Sequence, residues 1–225
     1  MNVSHSNKLK IVIFGGNGFV GSKVAENLVE LGVPTICVSR TGSKPKHLES
    51  QLWSEQVEWI KGDASKPDVD LLKQASSIVC TVGSPPIPTL SQQAYAKQLF
   101  MNGTCNINAI EEAANYGVKR CVLVGASIPW PLRNNDFAYY KGKQLAKKSA
   151  QRFSEQSDAH SACVVEPGVV VGRRYLKNGA SVPLNILLYP ALKLAPWYFV
   201  DLNKLAKRIA LEACELDKPK AFEVL

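Results

Sequence analysis

The sequence predicts an α/β protein, a doubly wound parallel sheet of about seven strands with a small C-terminal helical cap. Two features carry that reading. Short runs rich in Val and Ile recur along the chain, and segments of helical period separate most of them. A continuous apolar run is what a strand buried on both faces requires. A helix between successive runs supplies the right-handed crossover that joins parallel strands.

The first run is IVIF (11–14), and residues 20–31 after it repeat apolar side chains at helical spacing. TICVS (35–39) and VEWI (57–60) follow as second and third strands, and SIVCTV (77–82) as the fourth. The GSPPIPT segment (83–89) holds three prolines, which exclude a regular helix and predict a rigid loop at the carboxyl edge of the sheet. Residues 92–116 read as one crossover helix leading to CVLVG (121–125), and residues 137–156 as another leading to ACVVE (162–166). A last helix is expected over 203–215. The stretch VPLNILLYPALKLAPWYFV (182–200) is the most lipophilic, but Pro183, Pro190, Pro196 and Lys193 argue against a membrane span. It reads as a buried helix and loop packed on the sheet, with a greasy pocket wall or a membrane contact as the alternatives. No internal repeat divides the chain, so residues 1–225 are expected to form one domain, with 173–200 as a cap or substrate-side segment.

Composition narrows the function. Cys37, Cys80, Cys105, Cys121, Cys163 and Cys214 are scattered without a CxxC pair and the three histidines stand apart from them, so neither a disulfide framework nor a metal site is expected. Cys37, Cys80, Cys121 and Cys163 fall within apolar runs, where a thiol packs as a small hydrophobe. The net charge of +8 and pI near 9.2 suit an anionic partner without choosing one. The opening MNVSHSNKLK is too short and too polar for a secretory signal.

The most informative stretch is IVIFGGNGFVGSKVAENLVELG, in which Gly15, Gly18 and Gly21 form GxxGxxG between the first strand and first helix. The first glycine permits a tight turn, the second lets backbone approach a diphosphate, and the third lets helix and strand pack closely. An anion then meets the free N–H groups of the helix N-terminus. Gly16, Asn17, Phe19 and Val20 complete this turn, and a dinucleotide cofactor is expected there. At the end of the second strand, Ser39-Arg40-Thr41 replaces the acidic residue that an NAD site would usually carry. Arg40 can pair with a 2'-phosphate, flanked by the two hydroxyls and Lys44, so NADP(H) is favoured over NAD(H).

These residues resemble the short-chain dehydrogenase/reductase family in its extended or atypical Rossmann form, over nearly the whole chain. The resemblance implies adenine contacts at Asp63 and Ala64 in GDA (62–64), cofactor contacts at Val82 and Gly83, and a nicotinamide-side turn at Pro167 and Gly168 in VEPGVVVG (165–172). NGTCNINAIEEAANYGVKRCVLVGAS (102–127) resembles the family's fourth crossover helix and fifth strand, and FVDLNKLAKRIA (199–210) its late helix. Glu166 stands where the family usually has Arg, and Ser77 where it often has Asp. The resemblance also implies a Tyr-xxx-Lys pair on a helix and a serine closing the preceding strand. Tyr139 and Lys143 fit, one helical turn apart and therefore on one face. Tyr140, followed by Gln144, does not fit. Tyr189 and Lys193 repeat the spacing in the proline-broken segment, where no cofactor ribose is expected. Ser127 takes the serine's place, and Lys143 is implied to bind the nicotinamide ribose as well.

VIFGGNGFVGS, VSRTGSKP and VEWIKGDASKPD resemble most the atypical mitochondrial members associated with coenzyme Q biosynthesis, and more distantly the NADPH-binding accessory subunit of respiratory complex I. That resemblance implies a reductase of a lipophilic quinone or isoprenoid pathway, such as ubiquinone biosynthesis, on the matrix side of the mitochondrial inner membrane, with cytoplasm or plastid as alternatives. It equally admits a catalytically silent NADP(H)-binding member of a membrane-associated complex. An RNA-binding reading would rest on two basic runs, Lys141, Lys143, Lys147, Lys148 and Arg152, and Arg173, Arg174 and Lys177, but no stacking motif accompanies them, so a nucleic-acid partner is not expected.

Overall fold

Alternation along the central strands decides which helices cover them. In the computed structural model, which describes residues 9–176, 180–216 and 222–224, the strands β1 (Ile11–Phe14), β2 (Thr35–Ser39), β3 (Val57–Lys61), β4 (Ser77–Cys80), β5 (Arg120–Val124) and β6 (Ser161–Val165) fall on the apolar runs of the sequence. Helices α1 (Phe19–Glu30), α2 (Val69–Lys73), α3 (Gln92–Leu99), α4 (Cys105–Asn115) and α5 (Ala138–Glu155) lie between them. Beyond β6 come short strands β7 (Val169–Val171), β8 (Arg173–Tyr175) and β9 (Ser181–Pro183), helices α6 (Leu184–Leu187) and α7 (Tyr189–Leu194), β10 (Phe199–Asp201), α8 (Leu202–Cys214) and β11 (Phe222–Val224).

Seven strands form one parallel sheet in the order β11-β6-β5-β4-β1-β2-β3. One face sends Val12, Phe14, Ile78, Cys80, Leu123 and Val164 against α2, α4 and α5. The other sends Ile11, Ile13, Cys37, Val79, Val122 and Cys163 against α1 and α8. The cysteines of the runs are thus core hydrophobes. Small pairs stand outside the sheet: β7 with β10 in parallel, and β8 with β9 in antiparallel.

Two departures from the sequence reading have physical causes. The crossover expected as one helix over 92–116 is interrupted by a π-helical turn at Phe100–Thr104, where Asn102 turns its side chain to the β4 loop. The lipophilic 182–200 segment is not a buried helix on the sheet. Its prolines break it into α6, α7 and a 3-10 turn at Pro196–Tyr198, none with a buried side chain. The lysines of α5 do not form one open cationic track: Lys143 is buried, Lys147 pairs with Glu166 at 3.0 Å and Arg152 with Glu111 at 3.2 Å.

The base of the sheet is held by a buried ion pair. Arg120 opens β5 fully buried, donating from Nε to the Glu212 carbonyl (3.0 Å) and from Nη2 to its carboxylate (2.8 Å). This ties β5 to α8. Removing one partner of such a pair strands the other, so Arg120→Ala is expected to cost about 3 kcal/mol of stability, read as a lower denaturation midpoint.

Candidate functional site

Strand connections run in opposite directions from β1 and β4, so no loop crosses between their carboxyl ends and a cleft opens there. Its first half, a hollow of about 250 Å³, is lined by Gly15, Asn17 and Gly18 of the first turn, Ser39 and Arg40 after β2, Asp63 and Ala64 after β3, and Val82 and Gly83 after β4. The second half, about 290 Å³, is lined by Phe19, Val20, Gly125, Ala126, Tyr139, Lys143, Pro167 and Gly168. Gly18, Thr81 and Gly83 border both halves, so the two are continuous.

The glycines act as their spacing requires. Gly15 turns the chain with φ +87°, and a Cβ there would lie 2.7 Å from Thr81 Oγ1. A Cβ on Gly21 would lie 2.3 Å from the Gly15 carbonyl oxygen, which forces α1 and the turn into backbone contact. Gly16 sits equally close to Cys37, behind the cleft. Gly18 caps α1 without a side-chain acceptor and α1 has no acid in its first turn, so its leading N–H groups face the cleft uncapped by side chains.

At the β2 end, Gly42 N donates to Ser39 Oγ (3.1 Å), and Thr41 Oγ1 accepts from Asn17 Nδ2 (3.2 Å) and Ser43 Oγ (3.0 Å). Thr41 therefore positions Asn17 rather than lining the cleft. Lys44, expected to flank Arg40, forms an ion pair with the exposed Glu55. The Asp63 carboxyl is held below the usual carboxylate range, first by the Ser65 N–H (2.9 Å), then by the Ser65 hydroxyl (2.8 Å) and the Arg40 and Lys66 charges, against the upward push of partial burial.

Tyr139 and Lys143 both reach the second half from α5. A backbone approach puts them there: a Cβ on Gly142 would lie 3.0 Å from Asn102 Cβ and from the Gly103 N, so α5 crosses the π-helical turn with no side chain between. Lys143 Nζ donates to the Val124 carbonyl at 2.7 Å and lies 6.0 Å from the Tyr139 ring centroid. Burial pulls the Lys143 ammonium down to about 8, with Cys80 opposing. Burial pushes the Tyr139 phenol up to about 12, reinforced by Tyr198. Ser127 departs from expectation, lying three residues past the end of β5, while Gly125 and Ala126 line the cleft. Its N–H donates to Pro167 O (2.8 Å) and its carbonyl accepts from the Tyr198 hydroxyl (2.6 Å). Tyr189 and Lys193 lie on α7 as a cation-π pair at 4.9 Å.

The sequence pattern described as NAD(P)H-binding matches residues 15–170, well over half of the chain and spanning both halves of the cleft. The chain belongs to that NAD(P)H-binding family. It is 31% identical over 189 residues to an uncharacterised chloroplastic protein of Arabidopsis thaliana, covering 82% of this chain and 58% of that protein. It is 29% identical over 145 residues to MIOREX complex component 2 of Saccharomyces cerevisiae, covering 63% of this chain and 47% of that protein. The chain thus spans about half the length of these relatives. In fold it is similar to Gre2 of Candida albicans in complex with NADPH, with a TM-score of 0.71 and 16% identity over 96% of this chain and 78% of that one.

The residues present fit NAD(P)H: a glycine turn with Gly18 at the cleft, a helix N-terminus without a capping side chain, and an exposed Arg40 at the rim. Sequence reasoning missed Asn102, Thr81 and the wall of Phe100, Met101 and Cys105. Asn102 is fully buried, with Nδ2 donating to Ser84 Oγ (2.8 Å) and Oδ1 accepting from Ser84 N (3.2 Å). A π-helical turn leaves no periodicity signal, but an Asn-Gly pair inside an apolar helix pattern was visible.

Two predictions follow from this geometry. Gly18→Ala should weaken NAD(P)H binding about tenfold or more and lower the unfolding midpoint less than Gly21→Ala, because a Cβ meets the Gly15 carbonyl oxygen at 3.0 Å in the first and at 2.3 Å in the second; titration and thermal denaturation separate the two. In the unfolded chain Lys143 titrates near 10.5. Between that value and about 8 the unfolded state therefore holds a proton the folded state has released, and stability rises with pH. Lys143→Met is expected to stabilise the cofactor-free protein by up to about 3 kcal/mol at neutral pH, an advantage lost by strongly alkaline pH, as read by chemical denaturation.

Proposed function

We propose that this chain is an NADP(H)-dependent reductase of the short-chain dehydrogenase/reductase type, acting on a carbonyl of a lipophilic compound such as a quinone or isoprenoid. The observation that carries the reading is the Tyr139 and Lys143 pair, held in the second half of the cleft by the Gly103 and Gly142 crossing. Arg40, standing where an acid would accept from the ribose of NAD, supports the phosphorylated cofactor. The turn of Gly15, Asn17 and Gly18 would hold the diphosphate, Asp63 and Ala64 the adenine end, and Pro167 and Gly168 the nicotinamide end. The bound cofactor supplies hydride to the carbonyl carbon.

Tyr139 holds the proton. With burial keeping its phenol protonated up to about 12, it suits donation to a carbonyl oxygen better than proton abstraction. Lys143, charged below about 8 and 6.0 Å from the Tyr139 ring centroid, is a cation that offsets the phenolate that donation leaves. Its other role is to hold ribose hydroxyls. Ser127, next to the cleft-lining Gly125 and Ala126 and held through its backbone by Pro167 and Tyr198, is assigned the hydroxyl that orients the substrate. An organellar location, on the matrix side of the mitochondrial inner membrane, fits the family resemblance and the basic pI; the chloroplastic relative supports an organelle in general.

A second reading, a silent NADP(H)-binding component of a protein assembly, is favoured by the likeness to a MIOREX complex component. One experiment separates them. NADPH oxidation is followed across quinones and isoprenoid carbonyls with wild type and Tyr139→Phe. The reductase reading expects turnover that falls about 100-fold in the variant with NADPH affinity unchanged, and that declines as pH rises through about 8 and Lys143 loses its charge. Tight NADPH binding without turnover on any substrate supports the silent reading. Arg40→Ala should weaken NADPH about tenfold or more and leave NADH nearly unaffected.

A further inference from the structure

Between Glu166 and Asp201 the sequence has no acid, yet it carries Arg173, Arg174, Lys177 and Lys193. The same stretch turns its large apolar side chains outward. Leu194 and Trp197 are each 81% exposed, Ile186 69% and Leu187 67%. No side chain of α6, α7 or the following 3-10 turn is buried. Contiguous chain of this kind on a surface marks an interaction site rather than chance exposure. We propose that this cap is a docking surface for an anionic phospholipid bilayer, with Ile186, Leu187, Leu194 and Trp197 entering the headgroup boundary while Arg173 and Lys193 meet lipid phosphates.

Three observations favour lipid over a protein partner. The charge of the stretch has one sign, which matches a uniformly anionic surface. Its most exposed apolar groups sit on short, proline-broken turns rather than along one regular helix or strand that a protein segment could pair with. Tyr189 and Trp197 have the amphipathic rings that settle at a membrane boundary, and Lys193 lies over the Tyr189 ring with its charge on an exposed residue. The cap is also rigidly joined to the cleft. Tyr198 donates to the Ser127 carbonyl, and its own carbonyl oxygen lies 2.0 Å from where a Cβ on Gly168 would stand. A lipid surface held by the cap would therefore lie close to the turn that closes the second half of the cleft. This proposal goes beyond the reductase reading and does not require turnover.

The test is flotation of the full chain with vesicles of phosphatidylcholine alone or mixed with phosphatidylglycerol. The chain should float with the mixed vesicles, several-fold less with phosphatidylcholine alone. The double variant Ile186→Glu with Leu194→Glu should lose retention about tenfold or more. NADPH affinity, set in the cleft, should stay at the wild-type value and serves as the folding check. A wild type that remains in solution with mixed vesicles, or a double variant that floats as well as wild type, overturns the proposal. So does a dimer in lipid-free solution that the double variant dissolves while wild type shows no vesicle retention, because a second copy then covers this surface.

Discussion

Backbone meets backbone at Gly15 with Gly21 and at Gly103 with Gly142, and the whole cleft depends on those two side-chain-free contacts. The first lets α1 begin directly above the end of β1, so its N–H groups point into the gap that diverging connections leave between β1 and β4. The second draws α5 against the π-helical turn, so that Tyr139, Lys143 and Asn102 share one wall. A methyl group at either crossing would separate elements whose registers are otherwise fixed by the buried central strands of the sheet. Interiors packed to crystal density have little room to absorb such a shift.

Electrostatics then divides the cleft. At the first half the charges are solvated: Arg40 is exposed at the rim, and Asp63 is held ionised mainly by the Ser65 N–H. At the second half they are not. Lys143 is buried against the Val124 carbonyl, and burial weakens its ammonium while strengthening the neutral form of Tyr139. The open helix dipole and exposed cation suit an anionic, diphosphate-bearing cofactor, and the proposed reductase places its proton chemistry at the dry end. The cost of keeping Lys143 buried is stored in the cofactor-free protein, as functional sites commonly store strain.

Much of this was legible in the sequence because strong periodicity and glycine spacing report backbone constraints directly. The strands β1 to β6 and the helices α1, α5 and α8 lie within about two residues of the apolar patterns that predicted them. The Arg120 pair and β11 left no signal, since a three-residue edge strand is too short to alternate, and the Asn102 turn left only its Asn-Gly pair, since a π-helical turn has no period. The lipophilic 182–200 stretch misled for a different reason. Hydrophobicity measures what a segment can bury, not whether the fold offers it a partner, and three prolines kept it from laying a helix on the sheet.

The central claim is that one dinucleotide lies along both halves of the cleft. Amide hydrogen exchange with and without NADPH tests it most directly, because binding slows exchange where the ligand touches and orders backbone. Protection should rise together in the turn from Gly15 to Val20, at Ser39 to Thr41 beside Arg40, and at Val124 to Ala126 beside Lys143. Protection absent from all three, or confined to segments outside the cleft, would contradict it.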